Sequence, residues 1–274
     1  MNRKASILIA SMWLLIIFTF LGTAVYKMFS AQMMLSKRLK ERSLSYFIAR
    51  AAIFDAQKEL KMNAKSYTSL KDLRIKREKE LKSGSFEYYF VDEESKINLN
   101  TASSEVLSNF SGMQEDTAQE IATSFLKPFR TIEELLLIDD VDEEDYQIFK
   151  DFITVFGEGR INVNTASSEV FSALGLEEDL IAKIIAFRSG PDGIEATEDD
   201  AVFESQADIS DIFNNSFFLS GAQQELINNL INMQSLDVKS SYYTMVLNVK
   251  FLERNIGKYA ITITKDAVVG WREF

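Results

Sequence analysis

The sequence predicts an α+β protein. A long N-terminal helix, transmembrane in its first half and amphipathic in its second, packs on a small antiparallel sheet, and a large all-α domain is inserted into that sheet. Three observations carry this. Ile7 to Tyr26 is an almost unbroken apolar run, and a helical pattern continues beyond it to Met62. One strand-like stretch precedes a long helix-patterned block and two or three follow it, so the sheet must close across the block. Within the block, INLNTASSEVLS (Ile97 to Ser108) recurs as INVNTASSEVFS (Ile161 to Ser172), identical at ten of twelve positions. The expected units are 6–94, 95–237 and 238–274, with the inserted helical domain in the middle and the C-terminal strands completing the sheet.

The apolar run comes first. Twenty residues at a rise of ~1.5 Å cover ~30 Å, the thickness of a bilayer core. Arg3 and Lys4 precede it and no acidic residue appears before Glu41. The positive-inside tendency then keeps the N-terminus cytoplasmic and places the bulk of the chain outside. A cleaved signal peptide is the competing reading. It fits poorly, because the run is long and lacks a small-x-small site before a polar start. After the span Leu39, Tyr46, Ile53 and Leu60 recur every seven residues, with Leu35, Ala49 and Ala56 beside them. Lys37, Arg38, Lys40, Glu41, Arg42 and Lys58 fall mostly between these positions. One helix from Ser6 to Met62 would be roughly 85 Å long.

Lys71 to Lys82 is basic and polar and reads as helix end and loop. Ser85 to Asp92 alternates aromatic and polar residues and reads as a strand, with Phe86, Tyr88 and Phe90 on one face. In the repeats, Asn100-Thr101 and Asn164-Thr165 are N-cap candidates, and Glu105 and Glu169 sit in the first helical turns. A hairpin at Ser111 to Gln114 leads to a helix ending near Lys127. Pro128 to Leu136 opens another, and Ile138 to Asp145 is a second hairpin before a helix ending near Val155. Phe203 to Ile209 stands where Phe129 to Leu135 stood in the first copy. Gln223 to Met233 is the last helix of the block. Tyr242 to Phe251 and Lys258 to Lys265 are strands joined by a hairpin at Glu253 to Gly257, and Ala267 to Phe274 adds a final strand.

Composition excludes several chemistries. The chain has no Cys and no His. Cys/His zinc sites, thiol chemistry, imidazole bases and disulfides are therefore out. It also lacks a G-x-S-x-G, a P-loop and a dinucleotide glycine pattern. Carboxylate pairs such as Glu133–Glu134 are mere sequence neighbours, so no enzymatic role is expected. The net charge of −11 is unevenly spread: residues 95–237 hold 28 acidic and 7 basic residues, a net of −21, and the flanks carry a net of +10. Such a block repels phosphates and suits cations, a basic partner surface, or simple solvation.

The N-terminus resembles that of type IV pilin-like proteins, in which a short basic leader is cut by a prepilin peptidase ahead of a long helix. The resemblance implies a leader of residues 1–5, cleavage between Ala5 and Ser6, and methylation of Ser6. Ala5 stands where the family usually has Gly. Ala10 stands at the fifth mature position, where most members carry a Glu thought to pair with the neighbouring subunit's amine. A subunit without it is similar to the K-type minor pseudopilins of type II secretion systems, which sit at a filament end. The INxNTA segments resemble both helix-hairpin-helix modules, including those of competence DNA receptors, and the inserted domain of K-type pseudopilins. DNA-binding hairpins carry two glycines and a following cation. Here Gly112-Met113-Gln114 and Gly175-Leu176-Glu177 lose the second glycine, and Asp140-Val141-Asp142 has neither.

The order of elements, down to the closing Trp271-Arg272-Glu273, implies a minor pseudopilin at the tip of a type II secretion pseudopilus. It would be anchored in the inner membrane, processed by a prepilin peptidase, and partnered by I-like and J-like pseudopilins rather than nucleic acid. A membrane-anchored helix-hairpin-helix protein of DNA uptake is the alternative, and a plain single-pass envelope protein a third reading. One loop offers site chemistry. Ser189 to Asp200 holds Asp192, Glu195, Glu198, Asp199 and Asp200 beside Gly190 and Gly193. Hard oxygens on a turn suit Ca2+, which takes six to eight of them. The loop resembles DGxxGTxDD-type loops, with Ala196 replacing a Gly. The expected ligands are the side chains of Asp192, Asp199 and Asp200 and the carbonyls of Ile194 and Thr197, with a solvated acidic loop as the bland reading.

Overall fold

A computed structural model describes residues 3–63 and 65–274. It shows the α+β architecture in which one helix runs from the N-terminus across a five-stranded sheet. Helix α1 spans Arg3–Met62 and is followed by a short α2 (Leu70–Arg74). Strands β1 (Arg77–Leu81) and β2 (Gly84–Asp92) then form a hairpin. The chain returns to the same sheet some 150 residues later as β7 (Tyr243–Phe251), β8 (Arg254–Ile263) and β9 (Val268–Glu273). Strand order is β1-β2-β7-β8-β9, all antiparallel. The β2–β7 pairing, Ser85↔Lys250 through Asp92↔Tyr243, closes the sheet across the intervening residues.

The sheet and α1 share one core. Phe86, Tyr88 and Phe90 are almost fully buried on the face of β2 that meets the helix, with Met245, Leu247 and Val249 of β7 beside them. Each such side chain contributes roughly 1.5–3 kcal/mol by leaving water. On α1 the matching stripe is Ser45, Ile48, Ala49, Ala52, Ile53 and Ala56. Three alanines and a serine let the helix backbone approach closely, and the Ser45 hydroxyl meets the Tyr259 hydroxyl at 2.8 Å. The buried stripe starts later than the heptad reading suggests: Leu35 and Leu39 are exposed. The half-exposed Tyr46 lies at the core's margin, its ring centroid 5.7 Å from that of Trp271.

Two local expectations are corrected here. Lys71 to Lys82 contains a strand, because β1 (RE-KEL in sequence) pairs along its whole length with β2 while showing charge to solvent. A charged edge strand of this kind blocks further strand addition and has no apolar alternation to reveal it. The turn between β7 and β8 is Leu252-Glu253, both at positive φ (48° and 62°), rather than Glu253 to Gly257. Two left-handed residues give the tight turn that matches strand twist.

Residues 97–238 form a second core around Leu99, Leu107, Leu135, Phe149, Phe171, Phe203 and Phe213. The repeats sit at equivalent places in it. Each begins as a two-residue strand, β3 (Ile97–Asn98) or β5 (Ile161–Asn162). Each pairs in parallel with a strand far along the chain, β4 (Ile153–Thr154) or β6 (Leu236–Asp237). The second asparagine of each repeat then mimics a peptide group. Asn100 accepts from the N–H of Phe129 at 2.7 Å and donates to its carbonyl at 3.0 Å; Asn164 does the same to Phe203 at 2.8 and 2.9 Å. This confirms the equivalence of the Phe129 and Phe203 segments.

The expected N-caps at Asn100-Thr101 and Asn164-Thr165 are therefore wrong by a few residues. Ser103 caps α3 (Ser104–Ser108) and Ser167 caps α6 (Ser168–Ala173), each accepting from the third backbone N–H. The asparagines are already engaged across the core. The remaining helices are α4 (Glu115–Thr123), α5 (Glu143–Phe149), α7 (Glu178–Arg188), α8 (Gln206–Ser216) and α9 (Gly221–Asn232). Ile132–Leu137 is a 3-10 turn rather than an α-helix, and the helix expected to end near Val155 stops at Phe149, giving way to β4.

The sheet and the helical core are joined by three consecutive acids at the end of β2. Asp92 is 3% exposed and accepts hydrogen bonds from Thr165 Oγ1 (2.6 Å), Ser240 Oγ (2.6 Å), Asn162 Nδ2 (2.9 Å) and the backbone N–H of Glu94 (2.8 Å). Glu93 accepts from Thr154 and Thr244, both at 2.6 Å, and so bridges β4 and β7. Glu94 accepts from the Ser241 N–H. Among the described residues no buried side-chain polar atom lacks a partner, which is what buried carboxylates require. Burial raises the Asp92 and Glu94 carboxyls above their ordinary values in spite of these donors.

Two outcomes follow for stability. Asn164→Ala strands the buried N–H and carbonyl of Phe203 and should cost about 2–6 kcal/mol in denaturant unfolding, at ~1–3 kcal/mol per orphaned group. Asn100→Ala, at a half-buried position, should cost less; no loss from either substitution would contradict the peptide-mimic role. The second concerns pH. A carboxyl with a raised folded pKa binds its proton more tightly in the folded state, so its contribution is full below the unfolded value near ~4 and is lost as pH rises through the raised value. Melting temperatures measured from pH 4 to 7 should show that loss, and Asp92→Asn should reduce it, leaving the share due to Glu94.

Candidate functional site

Three surfaces could carry function: the unpacked part of α1, the hairpins of the repeats, and the Ser189–Asp200 loop. The first is set by sequence alone. Along α1, from Ile7 to Tyr26 and on to Leu35, nearly every side chain is exposed, including Trp13, Phe18 and Phe20. Among the described residues no other element buries this half of α1, which is long and apolar enough to cross a membrane. Hydroxyls within it are satisfied locally: Ser11, Thr19 and Thr23 each donate to the carbonyl three residues back. The leader expected over 1–5 begins outside the described residues; the backbone at Ala5 and Ser6 is helical. Ala10 lies in the exposed apolar half.

In the hairpins, Gly175 (φ 84°) follows the C-cap of α6 and Gly112 (φ 91°) lies in the turn after α3, both in the left-handed conformation that glycine adopts without strain. The N–H of Leu176 closes back on Phe171 O at 3.1 Å. Gln114 and Glu177 then precede α4 and α7, whose first turns hold Glu115-Asp116 and Glu178-Asp179. At the intermediate hairpin Val141 is buried, while Asp139, Asp140, Asp142, Glu143 and Glu144 are exposed. A phosphate approaching any of these hairpins meets carboxylates.

The acidic loop is organised by its own backbone. Arg188, 3% exposed at the end of α7, donates to the carbonyls of Val163 (3.1 Å) and Ala166 (2.7 Å) and pairs with Glu195. Glu198 pairs with Lys71 at 2.5 Å. Those two acids are thus spent on cations of the chain. The other three turn inward. Asp192 accepts from the Ile194 N–H (2.7 Å), and Asp199 from the Asp192 N–H (3.1 Å) and the Thr197 hydroxyl (2.7 Å). Asp200 accepts from the Ala196 N–H (2.7 Å) and the Thr197 N–H (3.0 Å). The Thr197 hydroxyl holds the Asp199 carboxyl below its ordinary value.

The five residues expected to ligate a cation therefore share one turn. Their carboxylates serve loop N–H groups, and among the described residues no three acids are gathered as a metal-holding group. The donors are nonetheless hard oxygens with free lone pairs, a set chemically suited to Ca2+. Ala196 adopts φ 70°, where glycine would be unstrained. Sequence reasoning missed Arg188 and the Asp92–Glu94 cluster, since a lone arginine on a helix and an Asp-Glu-Glu run both look like solvated charge.

Comparison with known proteins adds two findings. The helix-hairpin-helix motif family matches residues 92–154, which span the first repeat. No curated protein matches the chain. Among solved structures, the chain is similar to one chain of the GspK–GspI–GspJ complex from the enterotoxigenic Escherichia coli type 2 secretion system. The TM-score is 0.63 and the identity 15%, over 87% of this chain and 99% of that one. The likeness shows a shared fold, a pilin-like α+β architecture, and the insert of this chain carries a match to the helix-hairpin-helix motif.

Proposed function

We propose that this chain is a K-type minor pseudopilin at the tip of a type II secretion pseudopilus. I-like and J-like pseudopilins are its partners and a prepilin peptidase its processing enzyme. The observation that carries this reading is α1 itself. Its first half exposes an almost unbroken apolar run from Ile7 to Tyr26, and its second half seats a stripe of small residues on the sheet. That division makes one helix both membrane anchor and filament stem. Arg3 and Lys4 set the N-terminus on the cytoplasmic side of the inner membrane.

Ala10 supplies no carboxylate to a neighbour's amine, which suits a terminal subunit. The bulky insert between β2 and β7 caps the filament by occupying the space above the sheet. Its role is structural, and no catalysis is assigned to it. The acidic hairpins weigh against the DNA-uptake alternative. On the same reading, the Ser189–Asp200 loop binds Ca2+ through Asp192, Asp199, Asp200 and the carbonyls of Ile194 and Thr197.

Mass spectrometry of the protein from its native membrane tests the assignment. The expected mature N-terminus is a methylated Ser6, and an uncut chain beginning at Met1 would count against the pilin class. Calorimetry of the full chain in nanodiscs tests the loop separately. Ca2+ should bind and raise the melting temperature, and Asp199→Ala/Asp200→Ala should abolish both effects; absence of heat and of any thermal shift in the parent would remove the metal.

A further inference from the structure

The two repeats meet along an open groove of about 840 Å³. Most of its surface is apolar, from Phe110 and Phe152 of the first repeat and Ile181, Ala182, Ile185 and Ala186 on α7 of the second, with Asn109 and four serines also in its lining. Ala182 and Ala186 are exposed and one turn apart, so α7 presents a shallow trough rather than a ridge. Among the described residues two charged side chains line the groove, Glu169 and Glu178 in the first turns of α6 and α7, and no Lys or Arg does. Burial raises the Glu169 carboxyl, yet its own backbone N–H and the hydroxyls of Ser167 and Ser168 hold it below the ordinary value. It is therefore charged at neutral pH.

We propose that this groove docks a cationic amphipathic helix of a partner protein. The apolar floor calls for apolar side chains at helical spacing, the usual arrangement of a helix in a groove. The sign of the partner follows from charge. Both lining charges are negative and they sit within a block of net −21, so an acidic peptide or a phosphate-bearing ligand is repelled at long range and again at the rim. Lysines or arginines flanking the apolar face would meet Glu169 and Glu178. The proposal does not depend on the secretion reading, since it concerns only the surface between the repeats.

The test uses the full chain in zwitterionic nanodiscs and a labelled 18-residue helix with leucines at i, i+3, i+4 and i+7 and lysines elsewhere. Fluorescence anisotropy, corrected for empty nanodiscs, should report saturable binding that weakens with salt. Ala182→Trp fills the trough from an exposed position and should weaken binding at least about tenfold, the scale of a lost apolar anchor; Ala186→Trp serves if the first variant fails to fold. Glu169→Gln/Glu178→Gln should weaken binding about threefold or more and flatten the salt dependence. A glutamate-for-lysine version of the peptide should not bind. The proposal is overturned if the cationic helix binds no better than to empty nanodiscs, or binds a folded Trp variant as tightly as the parent. It is equally overturned if the Trp variant abolishes self-association instead, which would make the occupant a second copy of the chain.

Discussion

Everything in this fold depends on how the chain leaves and re-enters its sheet. Between β2 and β7 lie about 150 residues with their own core, and the two crossings are adjacent because Asp92 pairs with Tyr243. At that point Asp92, Glu93 and Glu94 are buried. Each reaches a different neighbour: Thr165 and Ser240, Thr154 and Thr244, and Ser241. Removing three carboxylates from water is costly unless every lone pair is met by a donor in fixed geometry. The cost itself confers specificity, because a shifted insert would leave the acids unpaired. Buried apolar contacts alone would tolerate such a shift.

The repeats obey the same logic at smaller scale. Asn98 and Asn162 fold their side-chain oxygens onto the N–H two residues ahead, at 2.9 and 3.0 Å. Their amide groups then diverge. Asn98 donates to Phe156 and Gly157 within its own module, whereas Asn162 donates to Asp92 and Ser240 at the junction. One copy closes the insert on itself and the other ties it to the sheet. A duplicated sequence has thus been given two destinations by what surrounds it, and the second copy is buried from Ile161 to Ala166 where the first is partly open.

Much of this was legible before the structure. The α1 helix, the Phe86-Tyr88-Phe90 face, the closure of the sheet across the insert and the Phe129–Phe203 equivalence all follow from periodicity and repetition, which report burial directly. What periodicity cannot report was misread. β1 is a charged edge strand with no apolar face, and the 3-10 turn at Ile132–Leu137 has apolar spacing that also fits an α-helix. The asparagines looked like helix caps because local capping and long-range peptide mimicry use the same side chain. In the acidic loop the carboxylates and their turn were visible, but the burial of Arg188 that fixes Glu195 was not, since it depends on carbonyls of Val163 and Ala166 released by the repeat.

The charge asymmetry joins these levels. The insert, residues 95–237, carries a net charge of −21 and the two flanks together a net of +10, so the two signs are segregated along the chain. Polarity of this kind does little for stability, because exposed pairs are worth little and are screened within about 10 Å. Its effect is on what can approach. The carboxylates that follow Gly112 and Gly175 put negative charge at the hairpins, and Glu169 and Glu178 give the groove between the repeats the same sign. The groove itself takes residues from both copies, Phe110 and Phe152 from the first and Ile181 and Ile185 from the second, so it is a surface that neither copy could form alone.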